Sequence, residues 1–149
     1  MKIRTGFVAN SSSSSFIIGF KDFNDLKLPK EVPEWIALLV KKCTDSILEP
    51  SDNYYEESAK IVKSEEELQE YFLDQYAYPK VSFSEWIESD TDYPGYYKED
   101  YEELLSYIKE GYLIVFREVD HNNHYMSELL KSLPKKKDNP GSFLIKSEY

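Results

Sequence analysis

The sequence has 149 residues, 41% of them hydrophobic and 31% charged, which excludes a disordered tail and a membrane-embedded protein. A chain of this length is expected to fold as one domain, residues 1–149, and to bury about 70% of the surface that the unfolded chain exposes. The net charge of −10 disfavours direct binding to nucleic acid or to a membrane, because phosphate groups attract Lys and Arg. A basic protein partner is favoured instead.

Two short strands are predicted at the N-terminus, at Ile3 to Val8 and at Ser14 to Phe20. Ser and Asn side chains bond to their own backbone in turns and loops, so the serine run between the strands predicts a loop. Residues 1–20 are therefore expected to form a β-hairpin. The hydroxyl groups of its loop are a candidate modification or processing site: Ser11, Ser12, Ser13, Ser14 and Ser15.

A first helix is predicted from about Pro33 to Thr44, followed by a loop over 45–58. Cys43 is the only cysteine and cannot form an intramolecular disulfide, which indicates a reducing compartment. The longest early apolar run, Phe16 to Phe20, is too short for a secretory signal or a membrane span. A cytoplasmic location is therefore expected.

The middle of the chain alternates strand and helix signals. A short strand is predicted near Ala59 to Lys63, and Ser64 with Glu67 forms a Ser-x-x-Glu capping box that begins a helix. That helix is expected to end before Pro79. The same signature begins a brief helix at Ser82.

The clearest helix is predicted from Tyr97 to Glu110, where apolar residues recur at helical spacing and Gly111 follows. The continuous β-favouring run Tyr112 to Phe116 predicts the middle strand of the sheet. A last helix from about Asn122 to Leu133 and a strand at Ser142 to Lys146 close the chain. This irregular alternation predicts an α+β fold, with a mixed or antiparallel sheet of about four to five strands and helices packed on it.

Gly6-Phe7-Val8-Ala9-Asn10, followed by five serines and Phe16, resembles a leader at the start of many otherwise unrelated bacterial and phage proteins. The usual form of that leader is Gly-Phe-Val-Ser-Asn, a serine run and Phe, so Ala9 departs from it. The match covers Lys2 to Ile17 only. The resemblance implies a setting in a phage, prophage or mobile element and implies no activity.

The segment Glu85 to Glu103 combines acids with tyrosines and holds a single basic residue, Lys98. Carboxylates on a rigid surface imitate a phosphate array, and Tyr rings are strong anchors in protein interfaces. We predict a partner-binding site at these residues: Asp90, Asp92, Tyr93, Tyr96, Tyr97, Glu99, Asp100 and Glu103. The alternative is a solvated helix face whose tyrosines pack inward.

The sequence therefore favours a non-catalytic interaction protein that binds a basic macromolecular partner, as an inhibitor or a nucleic-acid mimic, and that needs no cofactor. No motif for a serine or cysteine nucleophile or for a dinucleotide is present. A second hypothesis is a small enzyme or metal-binding protein built on Glu118, His121 and His124, which supply two imidazoles and a carboxylate. A third hypothesis is a structural component of a virion.

Overall fold

The computed structural model describes residues 13–21, 42, 44–50, 56–77, 82–88, 96–139 and 141–148, and the side chain of Tyr96 is not among the described atoms. Four strands lie in these residues: β1 (Ser13–Phe20), β2 (Ser58–Val62), β3 (Leu113–Asp120) and β4 (Ser142–Glu148). Five helices are described as well: α1 (at residues 44–48), α2 (Glu65–Tyr76), α3 (Phe83–Glu88), α4 (Tyr96–Lys109) and α5 (His124–Lys131).

The strands form one antiparallel sheet in the order β2-β3-β1-β4. The two interior strands, β1 and β3, pair over their full lengths, with Ile17 opposite Phe116. Nearly all of their side chains are buried, because helices pack against both faces of the sheet. The predicted α+β fold is confirmed, and so is the interior position of the strand predicted at Tyr112 to Phe116, which the structure places at Leu113–Asp120.

One face of the sheet is covered by α2, α3 and α4. Alternate residues of the interior strands, including Ile17 and Phe116, meet Leu68 of α2 and Leu104 of α4 in a buried cluster. The Tyr71 ring of α2 stacks on Phe116, with ring centroids 3.8 Å apart. This contact places α2 directly above β3.

The opposite face is covered by α1 and α5. Phe16 and Ile18 of β1 and Val115 of β3 pack there against Met126 and Leu130. The sheet is therefore the middle of three layers, and successive residues of β1 and β3 point alternately into two separate cores.

Arg117 ties these layers together from a fully buried position on β3. Its guanidinium bonds to a Glu57 carboxylate oxygen at 2.8 Å, and the Glu57 side chain is 1% exposed. It also donates to the carbonyl oxygens of Ser46, Ile47 and Glu118. Glu57 thus neutralises the charge of Arg117. The Ser46 and Ile47 carbonyls belong to the end of α1, so Arg117 also caps that helix.

Helix ends follow the sequence signals. The Ser64 hydroxyl accepts the Glu67 N–H at 3.2 Å, and the Glu67 carboxylate accepts the Lys63 N–H at 2.7 Å. At the end of α4, Gly111 has φ of 95°, which glycine adopts without strain. The Gly111 and Tyr112 amides then bond to the carbonyls of Ile108 and Tyr107, the two-bond pattern of a Schellman motif.

Some predicted boundaries were wrong. Both edges of β1 are occupied over residues 15–20, by β3 and β4, so no edge remains there for the predicted hairpin partner. That partner, Ile3 to Val8, lies outside the described residues, as does most of the predicted helix from Pro33. Residues 45–48, predicted as loop, are helical. Strand β3 continues past Phe116 to Asp120, where it pairs with Ser13 to Phe16 of β1, and Glu57 neutralises the buried Arg117 in this extension.

Candidate functional site

The negative charge of the protein is concentrated in the helical layer formed by α2, α3 and α4, which we call the acidic layer. These three helices contain eleven carboxylates and two lysines, a formal charge of −9. The net charge of the whole chain is −10. On the other side of the sheet, α5 carries one Glu and one Lys. One face of the molecule therefore has a strongly negative potential.

Most of these carboxylates lie on the outer surface of the acidic layer, because the helices turn their apolar stripes toward the sheet. The exposed set comes from all three helices: Glu65, Glu66, Glu70, Asp74, Glu85, Glu88, Glu99 and Glu102. Lys98 bonds to Glu88 at 3.2 Å, and both side chains are well exposed. An exposed ion pair of this kind is weak, so the layer keeps its net negative charge toward a partner.

The described tyrosines of the acidic layer pack inward. The Tyr97 ring stacks on Tyr76 with centroids 4.5 Å apart, and Trp86 lies 5.3 Å from Tyr97. Tyr101 is 7% exposed and contacts Phe83 at a centroid distance of 4.6 Å. Burial raises the pKa of Tyr101, the hydrogen bond from Gln69 lowers it, and the hydrogen bond to Glu65 and nearby carboxylates leave it raised overall. These rings hold the three helices together.

Asp100 was predicted to lie on an exposed partner-binding surface, and the structure corrects this. The residue is 3% exposed and bonds to the ammonium group of Lys146 on β4. Glu103 contacts the same ammonium group at 3.0 Å. Burial lowers the pKa of Lys146, but hydrogen bonds to the two carboxylates outweigh it and leave the pKa raised. Asp100 and Glu103 therefore fasten α4 to the edge strand.

The other predicted partner-binding residues fall into two groups. Glu99 is exposed on α4, and the backbone of Tyr96 begins that helix. Asp90, Asp92 and Tyr93 lie outside the described residues. Of the acids in the predicted segment that the structure describes, four are exposed on the same helical layer as the acids of α2: Glu85, Glu88, Glu99 and Glu102.

A cleft of about 460 Å³ opens between α2 and the strands β2 and β3, and we call it the α2–β3 cleft. Its walls combine carboxylates with the buried ring pair of Tyr71 and Phe116. The lining residues are Ser58, Ala59, Lys60, Glu67, Glu70, Tyr71, Asp74, Gln75, Phe116 and Glu118. The lining therefore contains four carboxylates and one ammonium group, that of Lys60.

Glu118 is the half-buried carboxylate of this cleft. Its β-bridge partners are Ser58 on β2 and Ser15 on β1. Burial raises the pKa of Glu118 above its usual range, and the nearby Glu56 carboxylate raises it further, while a hydrogen bond from the Ser15 hydroxyl lowers it. Glu118 in turn raises the pKa of Tyr71, which burial has already increased. The cleft thus holds a carboxylate whose negative charge is incompletely compensated.

The metal-site hypothesis required Glu118, His121 and His124 to converge, and they do not. Glu118 points to the α2 face of the sheet, whereas α5, which begins at His124, packs on the other face. His121 Nδ1 instead lies 3.6 Å from a carboxylate oxygen of Asp120. Within the part of the chain that the structure describes, no group of three or more His, Cys, Asp or Glu is arranged to hold a metal ion.

The strand predicted at Ser14 to Phe20 is confirmed and begins one residue earlier, whereas the solvated loop predicted for the serine run is wrong for its last three residues. Ser13, Ser14 and Ser15 belong to β1, and Ser13 and Ser15 are 4% and 0% exposed. Their burial follows from pairing with β3, where Ser13 lies opposite Asp120. Ser13 and Ser15 are therefore inaccessible to a modifying enzyme in the folded chain. Ser11 and Ser12 lie outside the described residues.

Sequence reasoning missed the α2–β3 cleft because two distant segments form it. Glu67, Glu70 and Asp74 recur at i, i+3 and i+7, which places them on one side of a helix. That spacing was a usable signal for a charged face. The position of β3 beneath this face depends on the stacking of Tyr71 on Phe116, which no local pattern predicts.

Comparison with protein-family models, with curated proteins and with solved structures finds no match to this chain. None of the described helices has the length and apolar character needed to cross a membrane.

Proposed function

We propose that the protein is a non-catalytic interaction protein that binds a basic macromolecular partner through the acidic layer. The observation that carries this proposal is the charge of that layer, which exposes eight carboxylates on its outer surface and contains two lysines. A face of one sign attracts an oppositely charged partner over long distances and increases the rate of association. It also repels nucleic acid.

The partner class we propose is a protein that handles nucleic acid, because its basic groove is built to receive an array of negative charges. The acidic layer occupies that groove and excludes the nucleic acid, so the protein acts as an inhibitor. The resemblance of the N-terminal segment to a leader of phage and mobile-element proteins supports a setting in the cytoplasm of a bacterial host.

A pull-down with matched charge variants tests this proposal. Glu66→Gln, Glu85→Gln and Glu102→Gln neutralise one exposed carboxylate on each helix of the acidic layer. Asp45→Asn, Glu49→Gln and Glu128→Gln neutralise three exposed carboxylates outside that layer, on or next to α1 and α5. Wild type and both triple variants are immobilised and exposed to a bacterial lysate, and retained proteins are identified by mass spectrometry at low and high salt.

We expect basic proteins to be retained by wild type and by the α1/α5 variant and to be lost from the acidic-layer variant. Retention is expected to fall steeply with salt, since exposed charges are screened beyond about 8–10 Å at physiological ionic strength. Added duplex DNA or RNA should displace the partner. Equal retention by all three chains, or retention insensitive to both salt and nucleic acid, would contradict the proposal.

A further inference from the structure

The α2–β3 cleft is lined by carboxylates and by two aromatic rings. Glu70 and Asp74 of α2 are exposed at its rim, whereas Glu118 is half-buried inside it. Tyr71 and Phe116 are 9% and 5% exposed, so they form a tightly packed apolar wall beside that carboxylate. A volume of about 460 Å³ is ample for the end of a long side chain.

The chemistry of the cleft selects a cation. Glu67, Glu70, Asp74 and Glu118 face one base, Lys60, which is exposed on the edge strand β2. An apolar wall lowers the local dielectric constant, so a charge interaction with Glu118 is stronger than one at the open surface. Burial raises the pKa of the Glu118 carboxyl group and the nearby Glu56 carboxylate raises it further, so its ionised form is disfavoured.

We infer that the α2–β3 cleft receives a cationic side chain, an Arg or Lys of the basic partner, and that Glu118 is the carboxylate that binds it. This inference rests on the proposed function and assigns the anchoring contact within it. The aliphatic stem of Arg or Lys packs along the apolar wall while its charged end reaches the carboxylate, as such side chains do at other amphipathic surfaces. The remaining acids of the layer guide the partner to this point.

The test measures binding of an acetylated tetra-arginine amide to the full chain by calorimetry at low salt. Glu118→Gln removes the charge of the cleft carboxylate and keeps its shape. Glu102→Gln is the matched control, because Glu102 is exposed on α4 in the same acidic layer and outside the cleft. Thermal unfolding of each variant confirms that it is folded before titration.

We expect Glu118→Gln to weaken the peptide about tenfold or more, as for loss of a charged hydrogen bond, and Glu102→Gln to weaken it less than about threefold. Contacts in nuclear Overhauser spectra between the peptide side chains and the Tyr71 and Phe116 rings would support the same placement. Equal weakening by the two variants would overturn the cleft assignment and leave the acidic layer as the binding surface. No binding by wild type would also overturn it.

Two further titrations separate other sources of positive charge. Spermidine and Mg²⁺ are each titrated into wild type and into Glu118→Gln. If either binds more tightly than the peptide and depends on Glu118, the cleft takes a free cation and the inference about a partner side chain is wrong. The pull-down with the acidic-layer variant decides the proposed function independently, because none of its three substituted residues lines the cleft.

Discussion

Glu118 illustrates how a binding residue can reduce the stability of the fold that holds it. Its pKa is raised by burial and by Glu56, so the native state disfavours the ionised form relative to the unfolded chain. The contribution of this carboxyl group to stability is then complete below the unfolded pKa, about 4.3, and is lost as pH rises through the higher folded pKa. We predict that Glu118→Gln increases the free energy of unfolding at pH 7 and has little effect at about pH 4.

Urea denaturation followed by Trp fluorescence measures this difference across the pH range. Comparing the two chains at each pH removes the contribution of all other titrating groups, since these are shared. A destabilised variant at pH 7, or a difference that does not change with pH, would show that Glu118 is stabilised by its surroundings.

The Glu57–Arg117 pair has the opposite character. Both side chains are buried, and the Glu57 carboxylate also accepts the Asp120 N–H and the Asn123 side-chain amide at 3.1 Å. We predict that Glu57→Gln lowers the free energy of unfolding by about 3–5 kcal/mol, because the guanidinium charge is left buried without its counterion. Glu128→Gln, on the exposed side of α5, should change it by less than about 0.5 kcal/mol. A loss below about 1 kcal/mol from Glu57→Gln would mean that the main-chain carbonyls alone satisfy Arg117.

The pairing of β1 with β4 places a glycine against a buried aromatic ring. Gly19 lies opposite Phe143, and a Cβ built on Gly19 would come within 2.7 Å of that buried ring. We predict that Gly19→Ala lowers the free energy of unfolding by about 1–3 kcal/mol through overpacking. Gly141→Ala is the control, since among the described residues its added methyl group would meet the flexible side chain of Asn139 and no ring.

Chemical denaturation of the two glycine variants and of a Gly19→Ala/Phe143→Leu double variant tests this explanation. Leucine is smaller than the phenylalanine ring and should relieve the clash with the methyl group added at position 19. The double variant is therefore expected to be more stable than the sum of the two single changes indicates. Strict additivity would place the cost of Gly19→Ala in the strand backbone and not in the ring contact.

Elements with local signals were predictable, and contacts between distant segments were not. The capping box at Ser64 and the glycine stop at Gly111 both act within one turn, so the ends of α2 and α4 could be predicted to within a residue or two. The pairing of β1 with β3 joins residues about a hundred positions apart, and no periodicity encodes it. The burial of Ser13 and Ser15 could not be predicted for the same reason, since it depends on the pairing of β1 with β3.

Only part of the charge distribution could be predicted from the sequence. The acids after Glu85 indicated a charged surface, whereas among those of α2 only Glu67 was interpreted, as a helix-start signal. Their union into one layer follows from the packing of α2 and α4 on the same face of the sheet, through residues such as Leu68 and Leu104. The tyrosines among the acids allowed two interpretations, anchors or core, and the two whose rings the structure describes, Tyr97 and Tyr101, pack against the core.

A charge of −9 in one layer must also affect the molecule in the absence of any partner. Like charges on neighbouring helices repel, and salt screens that repulsion over a Debye length of about 10 Å at 0.1 M. We predict that raising NaCl from about 0.05 to 0.5 M stabilises the wild type, and that the Glu66/Glu85/Glu102→Gln variant is more stable by about 1 kcal/mol at low salt only.

The Asp45/Glu49/Glu128 variant carries the same change in net charge, so any effect of net charge alone appears equally in both. Thermal unfolding at the two salt concentrations measures the difference, and identical salt responses in the two triple variants would mean that the repulsion is spread over the whole surface. A weaker salt response in the Glu66/Glu85/Glu102→Gln variant than in the Asp45/Glu49/Glu128 variant would show that repulsion within the acidic layer costs stability. Such a cost is expected of a surface retained for binding.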